Sequence, residues 1–403
     1  MPNVLTINGG SSSIRFAIFE ASQPPRRLLQ GKMDRIGSGD ASLTVDHGGD
    51  FAPTHIKAVI KDSAAAIDFL LDWLESQPLF KTLGGVGHRV VHGMLHTEPE
   101  RVTPALLNEL KSIIPFDPEH MPREIELIEA LRHRHPKLPQ VVCFDTAFHR
   151  SMPLVATQLP IPRRYAAKGV QRYGFHGLSY TFLLQELRRL GDPAATRGRV
   201  ILAHLGSGAS LAAVQGGRCV DTSMGFTPAA GLVMGTRSGD LDPGLMSYLA
   251  LSQPMDAAQF QTMVNHESGL IGVSETSADV RDLLDREADD SRAREALALF
   301  CYQAKKWIGS FAAVLGGMDT LVFAGGIGEN AAPLRRRICD GLRFLGIQID
   351  ESLNQRNAPR ISTDTGAVAV RVIRTDEESV IAELTAGLLG MIDKGAGTCK
   401  TGP

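Results

Sequence analysis

Three short apolar runs in this chain each end in a cluster of glycines. They are Val4-Leu5-Thr6-Ile7 before Asn8-Gly9-Gly10, residues 200–205 before Gly206-Ser207-Gly208, and residues 321–324 before Gly325-Gly326-Ile327-Gly328. A short apolar run closed by glycine reads as a buried strand followed by a tight turn. After the first two clusters a second apolar run follows at once, at 14–19 and 210–214, so each segment reads as a β-hairpin. VLTINGGSSSIRFA lies over ILAHLGSGASLAAV without a gap, with Gly9 on Gly206, Ser13 on Ser210 and Ile14 on Leu211. Two domains opening on the same element are therefore expected.

Helical spacing of apolar residues fills the stretches between. It covers 58–75, then 103–114 with Thr103 as N-cap and Pro104 in the first turn, and 178–190 up to Gly191. It returns at 291–315, stopped by Gly316-Gly317, and at 333–345 and 376–389. Strands alternating with helices predict an α/β fold. The Pro-rich stretch 152–163 and the residues just before Asp376 are candidate boundaries. The basic run 132–137 reads as a solvated helix end.

A chain of 403 residues is long enough for two or three domains with large cores. With 43% apolar and 21% charged residues, extended disorder is excluded. Forty-two basic residues against 44 acidic ones leave a net charge of −2, with no general attraction to nucleic acid or anionic membrane. No apolar run reaches the length of a membrane helix, and MPNVLTINGG has no basic and apolar leader pattern. Five scattered cysteines, Cys143, Cys219, Cys301, Cys339 and Cys399, make no CxxC pair and read as reduced thiols. A cytoplasmic protein without nucleic-acid or membrane partners is expected.

Gly/Ser hairpins expose backbone N–H groups with no Cβ in the way, which suits phosphate oxygens. In the first, Asn8, Ser11, Ser13 and Arg15 add an amide, hydroxyls and a cation. Residues 326–331 also match G-x-G-x-x-A after a strand, with Asp350 downstream, which is the pattern of a dinucleotide site and a rival reading as an NAD(P) dehydrogenase. His88, His92 and His96 would form a metal stripe on a helix, but Val90-Val91 and Gly93 argue against a helix there. Arg89, Arg237, His176, Asp145 and the late pair Glu377-Glu378 complete the chemically useful set. Cations, a histidine and carboxylates together are what phosphoryl transfer requires. No Walker A motif is present.

The segments INGGSSSIRF (7–16), GHRVVHG (87–93), FDTAFH (144–149), YGFHG (173–177), HLGSGAS (204–210), MGFTPAAGLVMGTRSGDLDPG (224–244), FAGGIGEN (323–330) and TDEESVIA (375–382) give the chain a resemblance to the acetate and propionate kinase family. That family lies within the actin-like ATPase superfamily, and the resemblance runs from residue 3 to about residue 390. It implies a two-domain actin-like ATPase fold of the acetate and sugar kinase type with a duplicated core. The N-terminal domain would take 1–148 plus the C-terminal helix in 378–403, and the second, 149–377, would carry the nucleotide site. The active site would lie in the cleft between them. A homodimer would transfer the ATP γ-phosphoryl group reversibly to acetate, or to propionate or another short-chain acid. An actin-fold ATP-driven switch without a small-acid substrate is the alternative of another class.

By the same resemblance, Asn8 and Glu377 would serve Mg²⁺, with Mn²⁺ as an alternative. Arg89 and Arg237 would hold the carboxylate and the transferring group, His176 would stabilise the transition state, and Asp145 would orient the reactants or act as acid/base. Val91, Phe175 and Pro228 would line the acyl pocket, and Arg15 would stand near the substrate. His204, Leu205, Gly206, Ser207 and Gly208 would meet the ATP phosphates. Asp279, Val280, Arg281, Gly326, Ile327, Gly328, Glu329 and Asn330 would hold the adenosine. The chain also departs from the family pattern. Arg15 replaces a lysine, Ser207 an asparagine, and Gly93-Met94-Leu95 stands for GGE. The usual LHNPxN reads Glu119-His120-Met121-Pro122-Arg123-Glu124, which puts Glu119 where an apolar pocket residue is expected. The departures bear on the choice of acid.

Overall fold

The structure, a computed structural model, describes residues 1–10, 13–36, 41–48, 52–58, 60, 62–253 and 255–392. Ser11 of the first hairpin and Cys399 lie outside the described residues. The chain divides into two units, Met1–Ala147 with Asp376–Pro403, and Phe148–Thr375. Glu377 thereby goes with the first unit, not with the second, and the first division falls before the Pro-rich stretch at 152–163.

In the first unit the opening apolar run forms β1 (Asn3–Gly9), and β2 (Ser13–Glu20) returns antiparallel to it. β3 (Arg26–Asp34), β4 (Ser42–Asp46), β5 (Thr54–Lys57), β6 (Leu83–Val90), β7 (Glu100–Arg101) and β8 (Gln140–Phe144) complete a sheet in the order β5-β4-β3-β2-β1-β6-β8-β7. β1, β6 and β8 run parallel. Side chains alternate between the two faces of β1. Leu5 and Ile7 join the core under helices Ser63–Ser76 and Met121–Arg134, whereas Val4 packs with Ala382 and Ala386 of helix Glu377–Leu389.

The second unit repeats the plan. β9 (Arg199–Leu205), β10 (Ala209–Gln215), β11 (Arg218–Thr222), β12 (Thr320–Ala324) and β13 (Ala369–Val372) lie in the order β11-β10-β9-β12-β13. The antiparallel and parallel neighbours match those of β3-β2-β1-β6-β8. Helix Gly177–Arg189 covers one face, and helix Ser291–Leu315 packs on β9 and β10. The duplication is one of topology, not of an ungapped sequence. Residues 10–13 lie between the paired Gly9 and Ile14, but only 206–208 lie between the paired Leu205 and Ala209. Turns of different length cannot keep both Gly9 on Gly206 and Ser13 on Ser210.

Antiparallel β9, β10 and β11 do not suit the all-parallel sheet of a dinucleotide fold. Asp350 is instead the N-cap of helix Glu351–Gln355, where it accepts the Leu353 N–H at 2.9 Å. The helix expected at 333–345 stops at Cys339, because Gly341 takes a φ of +76°. Helix Ser63–Ser76 starts later than its apolar spacing suggested, at the Asp62 cap. The basic run at 132–137 is more than a solvated end, since Arg134 pairs with Asp68 at 2.8 Å and with Glu75 at 3.3 Å across to the first helix.

β6 is thinned by Gly84, Gly85 and Gly87, and helix Glu377–Leu389 lies directly on it. A Cβ at Gly87 would stand 2.2 Å from Thr385 Oγ1 and 2.6 Å from Ile381 Cγ2. Overpacking of this kind costs about 1–3 kcal/mol. Gly87→Ala should therefore lower stability to chemical denaturation by that amount. An unchanged denaturation midpoint would show that the helix can lift from β6 at no cost.

Candidate active site

In the first unit, Arg89 on β6 sits almost wholly buried among carboxylates. Its Nη2 donates to Asp145 Oδ2 at 2.9 Å, and its Nη1 to Glu124 Oε1 at 3.2 Å and to the Gly9 carbonyl at 3.4 Å. Burial opposes the Arg89 charge, but Asp145, Glu124 and Glu377 outweigh it and its pKa is raised. Asp145 comes to this point because it follows directly on β8, beside β6. Glu377 arrives on the first turn of the helix that the β6 glycines admit, where Asn8 Nδ2 donates to its Oε2 at 2.9 Å. Burial, then Asp145, push the Glu377 carboxyl up, and Arg89, Arg15 and Asn8 draw it down. Burial raises Glu378 as well, aided by Glu377. Arg15 is exposed on β2, opposite Asn8.

Glu377 and the Asn8 amide oxygen are hard donors, and Asp145 adds negative charge beside them. Such a set suits a divalent cation of the Mg²⁺ type, which commonly takes one or two protein oxygens and completes its shell with water and phosphate. Among the described residues no group of three or more His, Cys, Asp or Glu is placed to hold a metal alone. The His88, His92 and His96 stripe does not form. His88 is on β6 and bonds Gln140 at 2.7 Å, and His96 sits between Glu100 and Glu109.

In the second unit, His176 stands at the head of helix Gly177–Arg189 with φ +59°, a left-handed conformation that few side chains adopt without compensation. Its ring is held on two sides. Nδ1 lies 2.8 Å from Ser210 Oγ, which also meets the Tyr180 hydroxyl, and the ring stacks on His204 with centroids 4.2 Å apart. Ser179 Oγ lies 2.8 Å from His204 Nδ1 and 2.8 Å from Thr375 Oγ1. A Cβ at Gly208 would stand 3.3 Å from both Arg237 Nη2 and His176 Nε2, so this turn brings backbone, guanidinium and imidazole together. Arg237 Nη1 donates to the Pro228 carbonyl at 2.8 Å. The space beside Gly206 is bounded by the Gly208 carbonyl and the Gly326 N–H. Backbone donors free of side chains, a histidine and an arginine can together receive a phosphate group.

The remaining expected residues divide by role. Ser207 is exposed in its turn, whereas the Leu205 side chain is buried and only its backbone is available. Gly326 and Asn330 are exposed, and Ile327 is half-buried. Glu329 Oε1 is engaged in shaping the loop, since it accepts the Gly325 N–H at 2.9 Å and the Thr375 N–H at 3.1 Å. The Gly328 carbonyl accepts from the buried Arg335 at 2.8 Å. Asp279 caps helix Val280–Arg286 and binds the exposed Arg281 guanidinium at 2.6 Å, which holds its carboxyl low. Val280 is buried. Val91 is buried in the first unit, while Phe175, buried, and Pro228, half-buried, belong to the second.

Sequence reasoning missed Glu124, Ser179, Ser210 and Tyr180 as parts of these clusters. Glu119, singled out from the sequence, is half-buried; the fully buried carboxylate of that segment is Glu124. The signal was there, because Glu124 falls one turn beyond His120, on the face of its helix that carries Leu127, Ile128 and Leu131.

The model of the Acetokinase family matches residues 3–383. An acetate kinase of Rhodopseudomonas palustris is 42% identical over 94% of this chain and 96% of its own length. A propionate kinase of Citrobacter rodentium is 41% identical over 94% of this chain and 95% of its own length. The crystal structure of a propionate kinase from Francisella tularensis superimposes with a TM-score of 0.90 at 32% identity, covering 96% of this chain and all of the other. A match of this extent, together with the two-sheet α/β fold, shows that the chain belongs to the acetokinase family of short-chain carboxylate kinases.

Proposed function

We propose that the protein transfers the γ-phosphoryl group of ATP reversibly to acetate, giving acetyl phosphate and ADP. The observation that carries this reading is the buried Arg89 of the first unit, a fixed cation in a chain of this family, aligned by Asp145. A small carboxylate is already ionised at neutral pH, so little base catalysis is needed. The demand is to bring one anion up to another, and arginine matches carboxylate and phosphate geometry. Arg89 and Asp145 would orient the acid in the first unit, with Val91 beside its methyl group and Arg15 adding positive charge. Phe175 and Pro228 would also meet the acyl group. In the second unit the turn 204–208 and Gly326 would receive the nucleotide phosphates, and residues 279–281 and 327–330 the adenosine. His176 and Arg237 would stabilise charge on the group in transit. Asn8 and Glu377 would hold Mg²⁺, which supplies charge neutralisation on the phosphates when bound.

A propionate preference is the second reading, because a relative named propionate kinase, at 41% identity, stands beside one named acetate kinase, at 42%. An ATP-driven switch without an acid substrate would have no use for Arg89 held at a carboxylate site. The four cysteines among the described residues are buried and free, which fits a reducing, cytoplasmic setting. A homodimer is part of the proposal. Helix Gly244–Ser252 buries none of its residues, and it exposes Tyr248 at 65% and Leu251 at 90%.

Hydroxamate trapping of acyl phosphate with Mg·ATP, run over formate, acetate, propionate and butyrate, should peak at acetate. A peak at propionate moves the substrate and keeps the mechanism, and no product from any acid would overturn the reading. Arg89→Ala and Arg237→Ala should each lower kcat by roughly 100-fold or more, the usual worth of a contact made in the transition state. Near-wild-type turnover in both would dismiss the charge clamp. In sedimentation, Leu251→Asp should shift a dimer to monomer; an unshifted dimer would place the interface elsewhere.

A further inference from the structure

Arg89 has two carboxylate partners in the first unit, and the proposed reaction uses only Asp145. The other, Glu124, is 2% exposed and enters from helix Met121–Arg134. Both of its oxygens are engaged. Oε1 accepts from Arg89 Nη1 at 3.2 Å, and Oε2 accepts the Val91 N–H at 2.9 Å. Val91 is the residue proposed to face the methyl group of the acid, so Glu124 spans the cation and the apolar wall of the same site. It passes close to Gly9, where a Cβ would stand 3.7 Å from Glu124 Cγ. A carboxylate bound to Arg89 in this way takes the kind of contact that an incoming carboxylate needs.

We infer that Glu124 sets the affinity and selectivity of the acid site by occupying Arg89 as a resident carboxylate, with which the substrate carboxylate must compete. The inference rests on the proposed assignment of Arg89 to the acid. It makes Glu124 a residue that tunes acid binding through Arg89, not a catalytic residue.

The charges around Glu124 give the competition a direction in pH. Arg89 faces it from β6 and Asp145 from the segment after β8. Asp117 faces it from the turn before its own helix, where Asp117 is bound to His120 at 2.9 Å. Arg123, next to Glu124 in sequence, turns away to the Gly10 carbonyl and Ser63. Glu377, on the C-terminal helix, acts on the Arg89 that Glu124 shares. Burial pushes Glu124 up to about 8, Arg89 and the Val91 N–H draw it down, and Asp117 and Asp145 add to the rise. A carboxyl with a raised pKa is neutral below that value and ionised above it. At lower pH, neutral Glu124 leaves the Arg89 charge to the substrate. Above about 8, ionised Glu124 repels the substrate anion and competes for Nη1.

The test is steady-state kinetics of acyl phosphate formation on the full-length protein between pH 6.5 and 9.5. In the wild type, KM for the acid should rise as pH passes through about 8 while KM for ATP stays level. Glu124→Gln keeps the shape and an acceptor for the Val91 N–H but removes the charge. It should lower the acid KM at pH 9 by roughly three- to tenfold, the effect of one neighbouring carboxylate, and flatten the pH profile. Glu124→Asp should keep the slope. The change should fall in KM for the acid rather than in kcat. An acid KM in Glu124→Gln that equals or exceeds the wild-type value with the same slope would overturn the inference. Should that variant not fold, a flat wild-type acid KM across the same range would overturn it alone, and a rise near 8 would support it. Wild-type turnover that needs no acid would instead sink the functional reading itself.

Discussion

A buried guanidinium is the fixed point of the first unit. Taking Arg89 out of water is affordable only because carboxylates meet it at hydrogen-bond distance, and removing one partner from such a pair costs about 3–5 kcal/mol. The requirement runs in both directions. Asp145 and Glu124 are each about 1% exposed in their side chains and would be just as costly to bury alone. Three separate elements, β6, the segment after β8 and helix Met121–Arg134, are therefore tied to one another by a single charge. Glu377 joins them from a fourth, more than two hundred residues later in the chain.

Glycine makes this convergence possible. The C-terminal helix can reach β6 only because Gly85 and Gly87 have no side chain where Leu389, Thr385 and Ile381 now lie. That contact delivers Glu377 to Asn8. In the second unit, glycines do the same for the backbone itself. Gly208 lies close against Arg237 and His176, and Gly325, at φ +75°, lies against the Leu205 carbonyl. The same residue type serves helix packing in one unit and close backbone approach in the other. Glycine count alone therefore cannot separate structural turns from phosphate sites.

Much of the fold was legible in the sequence. The paired Gly/Ser hairpins, the long helix Ser291–Leu315 with its Gly316 stop and the returning C-terminal helix follow from apolar period and capping chemistry. What failed was local. The hairpin turns differ in length by one residue, and this is invisible when two short sequences are matched without gaps. Only the basic end of helix Met121–Arg134 was read from the sequence, although six of its positions are buried, Glu124 among them. Glu124 is the more instructive miss. Its spacing puts it on the apolar face with Leu127, Ile128 and Leu131, but a glutamate there is read as solvent-facing by default, and what receives it is the Arg89 guanidinium and the Val91 N–H at a distant strand. Spacing along the chain carries no trace of that partner. Motifs singled out Arg89 and Asp145. They drew attention to Glu119 instead of Glu124 because the pattern marked the wrong end of the departure.

The two clusters differ in electrostatic character, and that difference bears on the chemistry. Around Arg89 the first unit gathers Glu124, Asp145, Glu377 and Glu378 against Arg89 and Arg15, an excess of potential negative charge at the place proposed for an anionic acid. Such a site can accept an anion only if part of that charge is neutralised. Two routes are open from the residues present: a divalent cation at Glu377 and Asn8, and a proton on a buried carboxyl. On the proposed function, the first would answer the charge of the phosphates and the second the charge of the acid. Glu377 suits the first because its neighbour Asn8 brings a hard amide oxygen. Glu124 suits the second because both of its oxygens are already bound, to Arg89 and to the Val91 N–H, and burial favours its neutral form. The second unit is built differently. His176 and Arg237 meet at Gly208, and Ser210, Ser179 and Tyr180 hold the histidines through hydroxyls instead of carboxylates.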